Sequence, residues 1–375
     1  MSTAENSRSF LRQYADSDET VEELLEYTRN RFTRSNVEFT TGDSAQIKTY
    51  QEYILESESE GAFNVLQRKL VQLQFPVQEG ISQSEEYKSA TLRGKTRSGE
   101  YGLQLLEPEA ITLEVYQSPI IGKVPVIIVP NDSDFASMVC ALSNRNEPKP
   151  IPQSMGASFI KGINNWDRIN TLKRRFFEHN PGQLWKDEFQ KNIMPNRAFY
   201  QDELIILSTK PYSNVTNDLL GFDKQSWRSY SLKIRRAHEC AHLFTLKYFG
   251  QISNNIHDEL IADYAGITSV LGNFESDWFM HFMGLENFPH YRAGGRLQNY
   301  IGDLSSDAFR VLQVIVKRAS DNLSRFDQTL KEPTNNNDRL NRVKSICRCD
   351  LINMAMDDGW KHLLEVYESC PEVQV

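Results

Sequence analysis

Residues Ala237–Gly266 read AHECAHLFTLKYFGQISNNIHDELIADYAG, and this stretch decides how the rest of the chain is read. It holds His238, Glu239 and His242 in the spacing H-E-x-x-H, then Glu259 and Asp263 in the spacing E-x-x-x-D. Residues four apart on an α-helix lie on one face, about 6 Å apart along the axis. His238 and His242 can therefore aim both imidazoles at one metal ion, with Glu239 placed to reach a water on that metal. Two histidines leave such a site incomplete, because catalytic zinc takes three protein ligands and keeps a fourth position for water. A second helix has to bring the third. Glu259, 17 residues after His242 in the helical run DELIADYAGITSVL, is the expected ligand. Asp258 or His257 takes that place if the helix starts in another register.

A bare H-E-x-x-H arises by chance in roughly one chain in a hundred of this length. The E-x-x-x-D on the next helical segment is what gives it weight. Together the two motifs resemble the gluzincins, zinc metallopeptidases with two histidines and a glutamate, of which thermolysin is a member. The resemblance spans only Ala237–Gly266. It implies zinc held by His238, His242 and Glu259, Glu239 as general base, Asp263 orienting a ligand histidine, and a peptide or protein substrate. It also implies a zincin-like, mainly helical domain with a small sheet before the active-site helix, and the run ELIILS (203–208) suits such a strand. Within FPHYRAGGRLQNYIGDL, His290 and Tyr291 become candidates for stabilising an oxyanion. Arg292 and Arg296 become candidates for binding a substrate carboxylate. The strings NEPKPIPQSMGASFIKGINNWDRI, HECAHLFTLKYFG and NNIHDELIADYAG also resemble an uncharacterised bacterial protein family, which carries no function with it.

Composition narrows the classes. The chain has 375 residues, 39% hydrophobic and 25% charged, as an ordinary globular protein does, and its length allows two domains. A formal charge of −8 argues against a general nucleic-acid binder. No run reaches the ~18–20 apolar residues of a membrane span, and the start MSTAENSRSFLRQYADSDE has no apolar core of a signal peptide. Five cysteines, odd in number and unevenly spread, suit reduced thiols, so a cytoplasmic location is expected. Cys240 falls on an x position of the motif and is assigned to packing. Cys347-x-Cys349 lacks a partner pair for a metal site.

Read along its length, the chain is expected to be α+β: a β-rich N-terminal half, then the mainly helical metal-binding part. After a loose polar start, a helix is predicted from Asp18, with Val21, Leu24, Leu25 and Phe32 at helical spacing. Strands are predicted at Ser89–Leu92, Gly102–Leu106, Ile111–Tyr116 and Val124–Val129, and a short helix at Phe135–Leu142. Asn165, Trp166, Asp167 and Arg168 either wall a substrate cleft or serve structure in a connector, the second being favoured. The active-site helix is predicted from Ser226 to Tyr248 with Gly250 as its stop. Two further helices are expected at Ser305–Leu330 and Asn337–Tyr367, and a frayed tail from Glu368. The expected domain division is 1–175, of unknown role, and 176–375, catalytic. Two other classes share the same site residues: a zinc hydrolase acting on another amide, an ester or a small molecule, and a non-catalytic zincin-like binding or sensor protein.

Overall fold

The computed structural model describes residues 3–33, 43–96 and 102–370. In chain order the helices that matter are α1 (Thr3–Leu11), α2 (Asp18–Tyr27), α3 (Ile47–Glu60), α4 (Ala62–Lys69) and α5 (Glu85–Arg93). Strands β1 (Thr112–Ser118) and β2 (Gly122–Val129) come next, then α6 (Asp132–Ser143), β3 (Ala157–Asn164), α7 (Trp166–His179), the short α8 (Trp185–Glu188) and β4 (Gln201–Ser208). The rest is helical: α9 (Lys224–Phe244), α10 (Ile256–Leu271), α11 (Ser276–Met283), α12 (Ser306–Leu330), α13 (Asn336–Arg348), α14 (Leu351–Ala355) and α15 (Gly359–Glu368). The chain is thus α+β, largely helical with one small mixed sheet.

These elements form two compact units, and the division differs from the expected cut at residue 175. One unit comprises Met1–Thr40, Pro119–Ile121 and Pro211–Val375; the other comprises Thr41–Ser118 and Gly122–Lys210. The N-terminal helices join the C-terminal helices for a local reason. Thr20 of α2 donates to Asp307 at the start of α12 over 2.8 Å, and Ser305 at the α12 N-terminus donates from both N and Oγ to Glu23 over 2.6 Å. The start of the chain is therefore not loose, since α1 already spans Thr3–Leu11. A cut at 175 would also split the sheet, whose order is β1-β2-β4-β3.

In the sheet unit, β2 lies between antiparallel β1 and parallel β4, and β3 closes the far edge antiparallel to β4. VIIV of β2 and LIIL of β4 are the central strands, and apolar side chains on both strands pack with Phe135 and Met138 of α6 into the core. Two expected strands are absent. Ser89–Leu92 lies inside α5, which Ser84 caps by accepting from the Tyr87 N–H at 3.1 Å. Gly102–Leu106 is irregular, its Leu103 N–H donating to Leu73 O at 3.0 Å.

A buried polar network closes this unit. Arg168 pairs with Asp202, which is fully buried and also accepts from Tyr50 Oη at 2.9 Å and from Asn165 Nδ2 at 2.7 Å. Trp166 donates to Thr91 O at 2.9 Å, and Gly94 admits its ring, because a Cβ there would sit 2.2 Å from it. Asn165, Trp166 and Arg168 are thus spent on structure inside their own unit.

In the helical unit, α9 and α10 form the central pair. Asp223 caps α9 by accepting from the Gln225 and Ser226 N–H groups at 2.9 Å, and Asn255 caps α10 by accepting from Asp258 N–H at 3.1 Å. Beyond α9 the chain continues as one π-helical turn, Thr245–Phe249, and Gly250 ends it in the left-handed region at φ 80°. Gly266 lets the two helices approach closely: a Cβ there would lie 2.8 Å from Ile234 Cγ2 and 3.1 Å from Ile234 O. On the other side, a buried pair between Asp327 of α12 and Arg342 of α13, 2.8 Å apart, takes the Tyr264 hydroxyl at 2.5 Å and so locks α10 to both helices. The expected long helix over 337–367 is broken twice, with Asp350 capping α14 by accepting from Asn353 N–H at 2.8 Å. The end of the polar tail, 371–375, lies outside the described residues. No helix among the described residues is long and apolar enough to cross a membrane.

Candidate metal centre

α9 presents His238 and His242 on one face, and α10 brings Glu259 against them. The two Nε2 atoms stand 3.1 Å apart. Glu259 Oε2 lies 3.7 Å from His238 Nε2, and Glu259 Oε1 lies 3.5 Å from His242 Nε2. Tetrahedral zinc with bonds of ~2.0–2.1 Å puts its ligand atoms about 3.3 Å apart, so these spacings match the edges of such a tetrahedron. Among the described residues this is the one group of three or more His, Cys, Asp or Glu side chains so arranged.

The proton inventory shows why these atoms converge. His238 Nδ1 lies 2.9 Å from Asp263 Oδ1, and His242 Nδ1 lies 3.5 Å from Asp258 Oδ2. Asp263 keeps the proton on His238 Nδ1 through a hydrogen bond, and Asp258, too far from His242 Nδ1 for a hydrogen bond, favours the same placement by its charge; each Nε2 is left with its lone pair, the tautomer being assigned from these neighbours. Two lone pairs and a carboxylate then face one another at 3.1–3.7 Å, an arrangement that repels unless a cation or a proton sits among them. Glu259 Oε2 is buried and has no hydrogen-bond partner. Three buried carboxylates, Asp258, Glu259 and Asp263, surround the histidines against one nearby guanidinium, Arg296. With neutral imidazoles that leaves a charge of two minus, which a divalent cation balances. The donor set, two imidazoles and a carboxylate, is the one zinc takes in hydrolases.

Electrostatics holds Glu259 ionised. Burial works against the Glu259 carboxylate, but His242, His238 and Arg296 outweigh it and hold its pKa far below the ordinary range. The first turn of α10 carries both Asp258 and Glu259, where the helix dipole favours negative charge. Burial likewise works against protonating His242, yet Asp258 and Glu259 push its pKa well above the usual value. Without a cation, a proton takes the cation's place, and metal binding has to displace it.

Behind His238 stands Asp263, as expected from the sequence, and around it lie Tyr212 and an inward-turned Arg296, which the sequence does not place there. The Tyr212 hydroxyl stands 2.8 Å from His238 Nδ1 and 2.5 Å from Asp263 Oδ1. Arg296 pairs with Asp263 Oδ2, donates to Tyr212 Oη and Ser213 Oγ at 2.9 Å, and reaches within 3.7 Å of Glu259 Oε2. Burial and the Asp263 carboxylate, opposed by Arg296, drive the Tyr212 pKa up, so the phenol stays protonated. Tyr212 follows β4 in an irregular turn with Ser213 and Asn214 at φ 52° and 55°, and nothing in its local pattern marks it.

The other expected residues are placed as follows. Glu239 sits half-buried on α9, and its carboxylate makes no hydrogen bond or ion pair among the described residues. His257 is not the third ligand: it is buried, and its Nε2 lies 2.9 Å from Ile346 O on α13. Burial lowers its pKa, which keeps it neutral. Asp258 stands behind His242, and the same Oδ2 that faces the imidazole accepts from Ser253 N–H at 2.8 Å. The loop 284–300 does not match its expected role. Tyr291 donates to Gly295 O at 2.5 Å and accepts from Gln298 N–H at 3.3 Å, which closes its own loop. His290 is exposed, with its N–H on Asn287 O at 2.9 Å. Arg292 holds Glu286 Oε1 at 2.5 Å and His281 O at 2.9 Å. Arg296, expected to bind substrate, turns inward to Asp263. All five cysteines are buried free thiols, and burial raises the pKa of Cys347 and Cys349, so neither behaves as a thiolate ligand.

Comparison with known proteins gives a relative without a function. Residues 9–358 match DUF7005, a family of unknown function. The chain belongs to this family. No curated protein and no solved structure matches it. In this DUF7005 member, then, the reading of the centre rests on its own geometry.

Proposed function

We propose that this protein is a zinc-dependent hydrolase of the metallopeptidase type, with His238, His242 and Glu259 as metal ligands. The observation that carries the reading is the convergence of two imidazole lone pairs and a carboxylate at tetrahedral-edge spacing, each imidazole backed by its own carboxylate. A zinc ion bound there supplies Lewis acidity and brings the pKa of its water toward neutrality. Glu239 takes the water proton as general base and passes it to the leaving nitrogen. Asp263, held by Arg296 and Tyr212, fixes the orientation of His238, and Asp258 does the same for His242. The pairing of H-E-x-x-H with E-x-x-x-D supports a peptide bond as the target and a zincin-like arrangement of α9 and α10. In that reading the protein works in the cytoplasm.

The test is metal content by elemental mass spectrometry of wild type, His238→Ala and Glu239→Gln, followed by peptide-library cleavage. About one zinc per chain in wild type and in Glu239→Gln, none in His238→Ala, and cleavage by wild type alone is the expected result. Undiminished cleavage by metal-replete Glu239→Gln sinks the base assignment. Metal in wild type with no peptide cleaved, but turnover of another amide or an ester, moves the protein to the broader hydrolase class.

A further inference from the structure

The sheet unit holds a cleft of about 530 Å³, walled by α5, the end of α6 and β3. Small-molecule sites typically have ~300–1,000 Å³. Three cations line it, Lys88, Arg145 and Lys161, and no Asp or Glu does, in a chain whose formal charge is −8. Among the described residues none of the three forms a salt bridge. Of the nearby carboxylates, Glu147 accepts from the Gly80 and Ser82 N–H groups at 2.8 and 2.9 Å, Glu85 pairs with Arg93 at 2.5 Å, and Glu203 stands opposite Lys161 in the ladder without lining the cleft.

The cations are placed by backbone features rather than by long free side chains alone. Arg145 and Asn146 both adopt the left-handed region, at φ 55° and 61°, directly after α6. The Asn146 side chain locks that turn by donating to Gln72 O and Phe75 O, each at 3.0 Å. On β3 a bulge shifts the register between Lys161 and Ile163, with Gly162 at φ 78°, so that Lys161 and Gly162 are both exposed in succession. Bulges re-aim side chains in this way.

Gln72 lies under the floor of the cleft, only 7% exposed, with its side-chain oxygen sealed from the opening. Tyr87, also buried in the floor, keeps its proton, because burial pushes its pKa up to about 12.

We propose that this cleft binds a small anion bearing a phosphate or carboxylate group. Lys88, Arg145 and Lys161 take the anionic group. The site lies wholly in the sheet unit and does not rest on the reading of the metal centre.

Calorimetric titration of the full chain with glycerol 3-phosphate, malate and glycerol tests this, the first two separating phosphate from carboxylate. Saturable binding of at least one anion and none of glycerol is expected. The double variant Lys88→Gln/Lys161→Gln should weaken it by at least about ten-fold, as loss of charged hydrogen bonds does. The exposed Lys161→Glu, which leaves the floor intact, should weaken it as well. Lys191→Gln, which removes the same charge from a residue that does not line the cleft, should bind as wild type does. The proposal is overturned if neither anion saturates below about 10 mM, or if the cleft variants, melting at the wild-type temperature, bind as Lys191→Gln does.

Discussion

Both units bury tyrosine–aspartate–arginine networks, and the one around Asp263 differs from the one around Asp202, and from Tyr264–Asp327–Arg342 in its own unit, in what it leaves over. In the sheet unit, Asp202 takes Arg168, Tyr50 and Asn165, and the set closes on itself. In the helical unit, Asp263 takes Arg296 and Tyr212 but also His238, whose other nitrogen has no proton to give and faces His242 and Glu259. A closed network specifies a fold. A network that ends in spare lone pairs specifies a site, because burying acceptors without a proton or cation between them is unfavourable.

The contrast can be broken from either side. The largest effect is expected at the open end: His238→Ala or His242→Ala should abolish metal binding, while Glu239→Gln should keep the metal and lose ~10²–10⁴-fold in turnover. Elemental analysis beside a rate assay separates the two.

In the closed network, Asp202→Ala leaves the Arg168 guanidinium buried and unpaired. Unfolding in denaturant should show a loss of about 3–5 kcal/mol, with metal content unchanged. Asp263→Asn should divide its effect differently, weakening metal affinity by about 10–100-fold, because it loosens His238. A competition titration against a chelator reads that loss. If Asp263→Asn lowers stability alone and leaves affinity untouched, the two networks are of one kind and the distinction fails.

pH sharpens the comparison further. The pKa of His242 is raised in the folded, metal-free chain, so its protonation stabilises that state below the unfolded value of about 6.5 and the benefit fades as pH rises through the higher folded value. The metal requires the neutral imidazole, so its affinity should move the opposite way, rising by about ten-fold per pH unit over the same window. Melting curves with and without zinc across pH 6–9 should therefore diverge as pH increases. The smallest effect is expected from Tyr212→Phe, about 1 kcal/mol in stability with metal retained, since Arg296 keeps Ser213 and Asp263.

Legibility followed sequence distance. That His238 and His242 share a face of α9 was readable because four residues make about one helical turn, and the buried strand at Val124–Val129 was readable because its apolar run is bounded by turn residues. The pattern failed at Ser89–Leu92, where a serine cap and acidic first turn start a helix that outweighs the local appearance of a strand. It failed again at His290, Tyr291, Arg292 and Arg296, four polar side chains in one loop whose directions no periodicity fixes.

The sequence by itself determined that His238 and His242 share a face, that Glu239 stands beside them, and that a carboxylate-bearing helix follows. These are properties of local helix geometry, which needs no distant partner. Only the tertiary structure decided that Glu259 rather than His257 or Asp258 faces the imidazoles, because that choice depends on the rotation of α10 against α9 at Gly266. The tertiary structure also brought Tyr212 and Arg296, from 26 residues before His238 and 33 after Asp263, onto one aspartate. The physical reason is that a buried charge takes whichever partners the packed chain offers, and at those separations the packing, not the spacing, selects them.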